Sequence, residues 1–171
     1  MPASARDAAS AVPPAEPLRT VGDAMSKNRV PVLEGWFTLD EGAPQLIGSR
    51  CTSCGTYYFP KQGTFCRNPD CAGESFEEAK LSRTGRLWSF TNAAYQPPEP
   101  YVQVENFEPF AIAAVELEKE RMIVLGQVVR GVGVDALKAG MPMELVLEVL
   151  SEDETTQKLV WKWKPAAGAR S

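Results

Sequence analysis

Four cysteines are the residues of this chain best suited to chemistry. They stand as Cys51-Thr52-Ser53-Cys54 and Cys66-Arg67-Asn68-Pro69-Asp70-Cys71, a C-x2-C pair and a C-x4-C pair separated by eleven residues. Two short turns of this kind can close on a tetrahedral ion, each supplying two thiolates at about 2.3 Å from zinc. Gly55 follows the first pair and permits a tight backbone turn, while Pro69 and Asp70 suit the second pair to a turn. The two pairs use every cysteine in the chain, so a zinc site built from them is closed and structural, with no position left for water. Two disulfides, a redox pair and an iron centre are the alternative uses of four such thiols.

Histidine is absent altogether. That excludes a Ser-His-Asp triad, a Cys-His nucleophile pair and any imidazole-ligated metal, and leaves acid–base work to carboxylates, Lys, Tyr or Cys. Glu105, Glu108 and Glu116 are carboxylates that an independent enzyme could use, but no constellation in the sequence gathers them. The stretch Gly131-Val132-Gly133-Val134-Asp135-Ala136 fits a dinucleotide-binding loop in outline. Such a loop must open a full helix within a βα unit, and Gly140-Met141-Pro142 stops any helix here after one or two turns. We therefore read it as a connector between strands.

These residues need elements to position them. The first 20 residues hold six Ala and four Pro, so residues 1–30 read as a flexible tail, with one or two helical turns over Val21 to Arg29. Residues 31–80 carry the first large apolar cluster (Val32, Leu33, Trp36, Phe37, Leu39), a strand over Gln45 to Arg50 and the two cysteine pairs. Residues 81–171 read as a barrel of five strands: Arg86 to Tyr95, Phe110 to Leu117, Met122 to Val129, Met143 to Leu150 and Lys158 to Lys164. Glu118 to Arg121 is a hairpin connector, Gln96 to Tyr101 a Pro-rich loop, and Val134 to Ala139 the one short helical candidate. In the last strand Leu159, Trp161 and Trp163 share a face, with three lysines on the other. The expected fold is mainly β: a rubredoxin-like zinc ribbon followed by a five-stranded OB-fold barrel, with little helix.

With 18 basic and 22 acidic residues the net charge is −4 and the isoelectric point is near 5.0. An anionic barrel gains little from counterion release, which argues against nucleic acid as a ligand; a nucleic-acid-binding ribbon/OB module is the alternative reading. No apolar run is long enough to span a bilayer, and the N-terminus lacks a secretory apolar stretch. The expected location is the cytoplasm, where reducing conditions suit metal ligands better than disulfides.

The order of motifs carries a resemblance. Trp36-Phe37 is followed by Cys51-x-x-Cys54-Gly55, Phe59-Pro60, and the Cys66/Cys71 knuckle. Then come Leu81 to Thr91, Pro109 to Leu117, Leu125-Gly126-Gln127-Val128 and Gly140 to Leu145. Over roughly residues 35–165 this resembles the acyl-CoA-associated zinc-ribbon/OB-fold family numbered thirty-five among domains of unknown function. The family's members are small partners of thiolase-fold enzymes, such as the accessory subunit of benzoylsuccinyl-CoA thiolase and the partner domains of steroid side-chain aldolases. The resemblance implies four zinc ligands at Cys51, Cys54, Cys66 and Cys71. It also implies a non-catalytic subunit that docks on a thiolase-like chain in a hetero-oligomer and helps to bind an acyl-CoA. The gap between the knuckles and the Asn-Pro-Asp turn before Cys71 depart from the family pattern without touching the ligands.

Two further sets of residues follow from this. Lys61, Arg67, Arg83 and Arg86 lie near the ribbon and could face the phosphates of coenzyme A. Tyr57, Tyr58 and Phe59, with Tyr101 and Phe107 of the Pro-rich loop, are candidates for the partner interface.

Overall fold

The computed structural model describes residues 27–40, 42–96 and 107–166. Two sheets account for almost all of their regular structure. A three-stranded sheet, in the order β3-β2-β4, is built from β2 (Ile47–Cys51), β3 (Tyr57–Tyr58) and β4 (Phe76–Lys80). A six-stranded sheet takes the order β1-β9-β8-β5-β6-β7, with β1 (Asn28–Pro31), β5 (Thr84–Ala93), β6 (Phe110–Leu117), β7 (Met122–Gln127), β8 (Pro142–Glu152) and β9 (Thr156–Pro165).

The large sheet curls on itself. Beyond β7, Val128 forms a parallel bridge to Trp163 of β9, and the Val129 N–H donates to the Trp163 carbonyl at 3.0 Å. β5 to β9 thus form the five-stranded OB barrel that the sequence led us to expect. Alternation explains the interior: on β6 the inward residues Ala111, Ala113, Val115 and Leu117 are all buried. The two alanines in that run leave room for Trp163, which is fully buried at the centre. Gly126 faces the same interior, and a Cβ there would overlap the Trp161 ring. Between β7 and β8 the chain makes a single 3-10 turn, Val134–Ala136, so the glycine-rich stretch is a connector and the helix expected over 134–139 is only three residues long.

One expectation is corrected, and two features that the sequence did not reveal are added. The tail read over residues 1–30 reaches too far, because Asn28, Arg29 and Val30 belong to β1 and pair in parallel with β9; this also replaces the helical reading where it covers Asn28 and Arg29. Residues 1–26 lie outside the described residues. On the lysine side of β9, Lys162 is buried, and its Nζ lies 2.7 Å from Glu148 Oε2 on β8. Strands β3 and β4 were missed, for Phe-Glu-Glu-Ala-Lys carries no β signature of its own. β4 forms because its partner β2 precedes it and binds it in register from Ile47–Lys80 to Cys51–Phe76.

The ribbon sits on the barrel through a shared core. Phe37, Leu46 and Leu81 belong to the same buried cluster as Leu87, Val115, Met143 and Trp163. Phe59 packs edge-on against both Trp36 and Trp161. At the far side of this junction, the buried Glu120 of the β6–β7 turn accepts hydrogen bonds from the Ser82 N–H and hydroxyl, both at 3.0 Å.

Candidate metal centre

The first cysteine pair follows from the end of β2. Cys51 is the last residue of that strand, and the Gly55 N–H donates to the Cys51 carbonyl at 2.9 Å, closing the turn. Gly55 has φ +77, a left-handed conformation that glycine adopts at no steric cost. The second pair is folded by side-chain and backbone hydrogen bonds. Asn68 Oδ1 accepts from the Asp70 N–H, the Cys71 N–H donates to the Asn68 carbonyl, and the Cys66 N–H reaches the Gly73 carbonyl at 2.8 Å.

These turns bring all four sulfurs within 4.8 Å of one another. Cys51 and Cys71 lie 3.9 Å apart, and Cys54 and Cys66 3.6 Å apart. A disulfide needs about 2.05 Å, so the geometry is not that of two bridges. Four thiolates at about 2.3 Å around a tetrahedral ion stand about 3.8 Å from each other. The donor set and its spacing fit a structural zinc, and among the described residues no fifth ligand joins the four cysteines.

Hydrogen bonds surround the thiols. The Tyr58 hydroxyl accepts the backbone N–H groups of Arg67 and Asn68, at 3.0 and 3.1 Å, which leaves its proton for Cys66 Sγ at 3.1 Å. This bond to Cys66 also raises the phenol above its usual range and keeps it a donor. The Thr56 hydroxyl lies 3.2 Å from Cys54 Sγ, and the Gly73 N–H donates to Cys71 Sγ at 3.3 Å. Thr56 lowers the Cys54 thiol to about 6, through its side chain first and its backbone second. Cys51 is also lowered, chiefly by the backbone N–H of Cys54. At Cys71 the Gly73 N–H pulls downward, but burial and the bonds to Cys54, Cys66 and Cys51 outweigh it and push the thiol up to about 12. The turn chemistry therefore favours thiolates, while their mutual crowding resists a fourth negative charge unless a cation offsets it. Tyr58, read from the sequence as a contact residue, is the positioning residue that reading missed. Its register opposite Ser49 on β2 turns the hydroxyl toward the second knuckle.

The other candidate residues are placed less closely together. Lys61 pairs with Glu78 at 2.6 Å, and Arg86 with Glu118 at 2.8 Å. Arg67 is exposed on the second knuckle, and Arg83 is half-buried before β5, its buried Nε without a hydrogen-bond partner. Lys61 also lines a polar surface hollow of about 340 Å³ with Ser49, Gln62, Gly63, Phe76, Glu77 and Glu78. Tyr57, Tyr58 and Phe59 are all half-buried: Tyr57 lies under the Arg50 guanidinium, Tyr58 packs edge-on against Phe76, and Phe59 wedges between Trp36 and Trp161. Phe107 packs against Phe110. Tyr101 and Glu105 lie outside the described residues, whereas Glu108 and Glu116 are exposed. Among the described residues no helix is long and apolar enough to cross a membrane.

A four-cysteine ribbon seated on an OB barrel defines a class of small two-part β proteins. Known families match each part: residues 41–77 match the ChsH2 rubredoxin-like zinc ribbon domain, and residues 78–148 the ChsH2 C-terminal OB-fold domain. A "DUF35 domain-containing scaffold protein" of Methanocaldococcus jannaschii is 34% identical over 120 residues, which is 70% of this chain and 79% of that protein. The chain belongs to the DUF35 family. It is also similar to the benzoylsuccinyl-CoA thiolase subunit BbsA of Thauera aromatica, 49% identical over 53 residues, which is 31% of this chain and 35% of that subunit. Among solved structures, the Ltp2-ChsH2(DUF35) aldolase is 27% identical, with a TM-score of 0.49, and covers 71% of this chain and 84% of its own.

Proposed function

We propose that this chain is a non-catalytic accessory subunit of a thiolase-fold acyl-CoA enzyme that makes or breaks a carbon–carbon bond. The observation that carries the reading is the 49% identity over 53 residues to a benzoylsuccinyl-CoA thiolase subunit. The chemistry of the chain supports it. Its four thiols gather in one cluster, it contains no histidine, and a scaffold protein is among its relatives. The ribbon holds one structural zinc through Cys51, Cys54, Cys66 and Cys71. That ion supplies folding energy to a segment too small to bury a core alone.

In this reading the subunit works in the cytoplasm, stabilises the complex and helps to bind an acyl-CoA. Arg67 and Arg83 are the cations best placed to receive coenzyme A phosphates, since Lys61 and Arg86 already face carboxylates. Tyr57 and Phe107, with Tyr101, would border the partner contact; the rings of Tyr58 and Phe59 are largely engaged within the chain. The test is co-purification with a thiolase-fold chain encoded beside this one, followed by an acyl-CoA cleavage assay. A joint complex whose turnover needs both chains, with none from this chain alone, is the expected result. Turnover by the purified single chain that is lost on mutating one of its own residues would overturn it.

A further inference from the structure

The outer face of β5, β6 and β7 carries an apolar stripe that neither the ribbon nor the barrel core uses. The register places Leu125 beside Ala114 and Ala114 beside Ser89, while Ile123 stands beside Glu116 and Glu116 beside Arg86. A bulge between Leu87 and Ser89 adds Trp88 to this face. Trp88 is 61% exposed, Leu125 66% and Ile123 44%, yet Ala114 in the row between them is only 7% exposed. The small alanine is the floor of a dent with larger apolar side chains above it. Three side chains of this size, so exposed, show on the order of 400 Å² of apolar surface on one face, the size of the largest patch on a typical monomer, which is often functional.

This is also the face by which OB barrels commonly bind their ligands. Single-stranded nucleic acid would need a basic groove and several stacking rings. Here one tryptophan is set among aliphatic residues, with Glu116 in the neighbouring row of the register. Arg86 spends its charge on Glu118 and reaches the Gly140 carbonyl, and Glu116 has no ion pair among the described residues. A second copy of the chain would offer Glu116 no free cation from this face in an isologous contact, since Arg86 already pairs with Glu118. A standard interface takes about 800 Å² from each partner, an apolar centre within a polar rim. The stripe supplies the centre, and the unpaired carboxylate at its border calls for a cation opposite.

We infer that the outer face of β5–β6–β7 is the docking surface for the thiolase-fold partner chain, which meets Trp88, Ile123 and Leu125 with an apolar ridge and Glu116 with an Arg or Lys. The inference rests on the accessory-subunit reading. It is tested by titrating this chain with the co-encoded thiolase-fold chain in a calorimeter, using wild type, Leu125→Glu and Glu116→Arg. Acrylamide quenching of tryptophan fluorescence runs alongside. The expected result is wild-type binding, roughly tenfold or more loss of affinity in each variant, reduced quenching on binding, and unchanged metal content and melting temperature. Should a variant fail to fold, Glu116→Gln and Ile123→Ser replace it with smaller changes. Wild-type binding that the folded variants leave intact overturns this surface but keeps the accessory reading. No wild-type binding overturns both. A self-dimer dispersed by Leu125→Glu overturns the partner named here in favour of a second copy.

Discussion

Tyr58 ties the two halves of the metal centre together. Its hydroxyl holds the backbone of the second knuckle through two N–H groups and gives its proton to Cys66. Groups that orient ligands in this way typically govern metal affinity by 10–100-fold. Tyr58→Phe should therefore leave the fold intact but lower zinc affinity by roughly tenfold, measured by competition with a chromogenic chelator; unchanged affinity would make the hydroxyl merely decorative. Cys51→Ser is harsher, because it removes a ligand and returns a buried hydroxyl, and it should leave the ribbon unfolded in heteronuclear spectra. The grouping of the four cysteines was legible in the sequence from their spacing. Tyr58 was not, since nothing in the type or position of a tyrosine eight residues before a cysteine says that a strand pairing will aim it there.

At the scale of elements, the β8–β9 hairpin is pinned at its tip by Asp153. One carboxylate oxygen accepts the Thr155 and Thr156 N–H groups at 2.9 and 2.8 Å, and these bonds lower the carboxyl below its ordinary value. A depressed native pKa stabilises the fold above the unfolded value, near 3.8, and that contribution fades as pH falls through the native value. Asp153→Asn should consequently cost stability at neutral pH, and the difference from wild type should shrink as the pH drops below about 4; pH-resolved denaturant melts decide it. Gly126→Ala is expected to destabilise the barrel by about 1–3 kcal/mol through overpacking against Trp161, read from the denaturation midpoint. The five barrel strands could be read because they are apolar runs or rich in β-forming residues, and the last one alternates. β1 could not, for Asn-Arg-Val-Pro is short, contains proline and owes its strand form to a parallel partner far along the chain. The burial of Lys162 was hidden for a similar reason: alternation gives a side, while the depth of that side depends on what covers it.

Across the whole molecule, ribbon and barrel share one core and a buried clamp, Glu120 on Ser82. Heating should then release the metal and expose Trp163 in one transition, and stripping the metal should lower the melting temperature of the barrel as well as the ribbon. A scan that follows both signals would refute this coupling if metal loss came first and left tryptophan emission unchanged. Glu120→Ala, which strips the Ser82 N–H of its acceptor, should cost about 1–3 kcal/mol. The sequence showed a metal-binding part and a barrel part clearly enough; that they behave as one body depends on Phe37, Leu46, Phe59 and Leu81, whose packing partners are distant in the chain.

Strand β1 has a consequence for solubility. Four residues, ending at Pro31, occupy the edge of β9 that would otherwise offer open hydrogen-bonding groups to another chain. Proline and the short length make β1 itself a poor template for further pairing. A protein trimmed to begin at residue 32 would keep its cysteines and its barrel and lose that cover, so its failure would show as time-dependent turbidity and amyloid-dye binding at concentrations where the full chain stays clear.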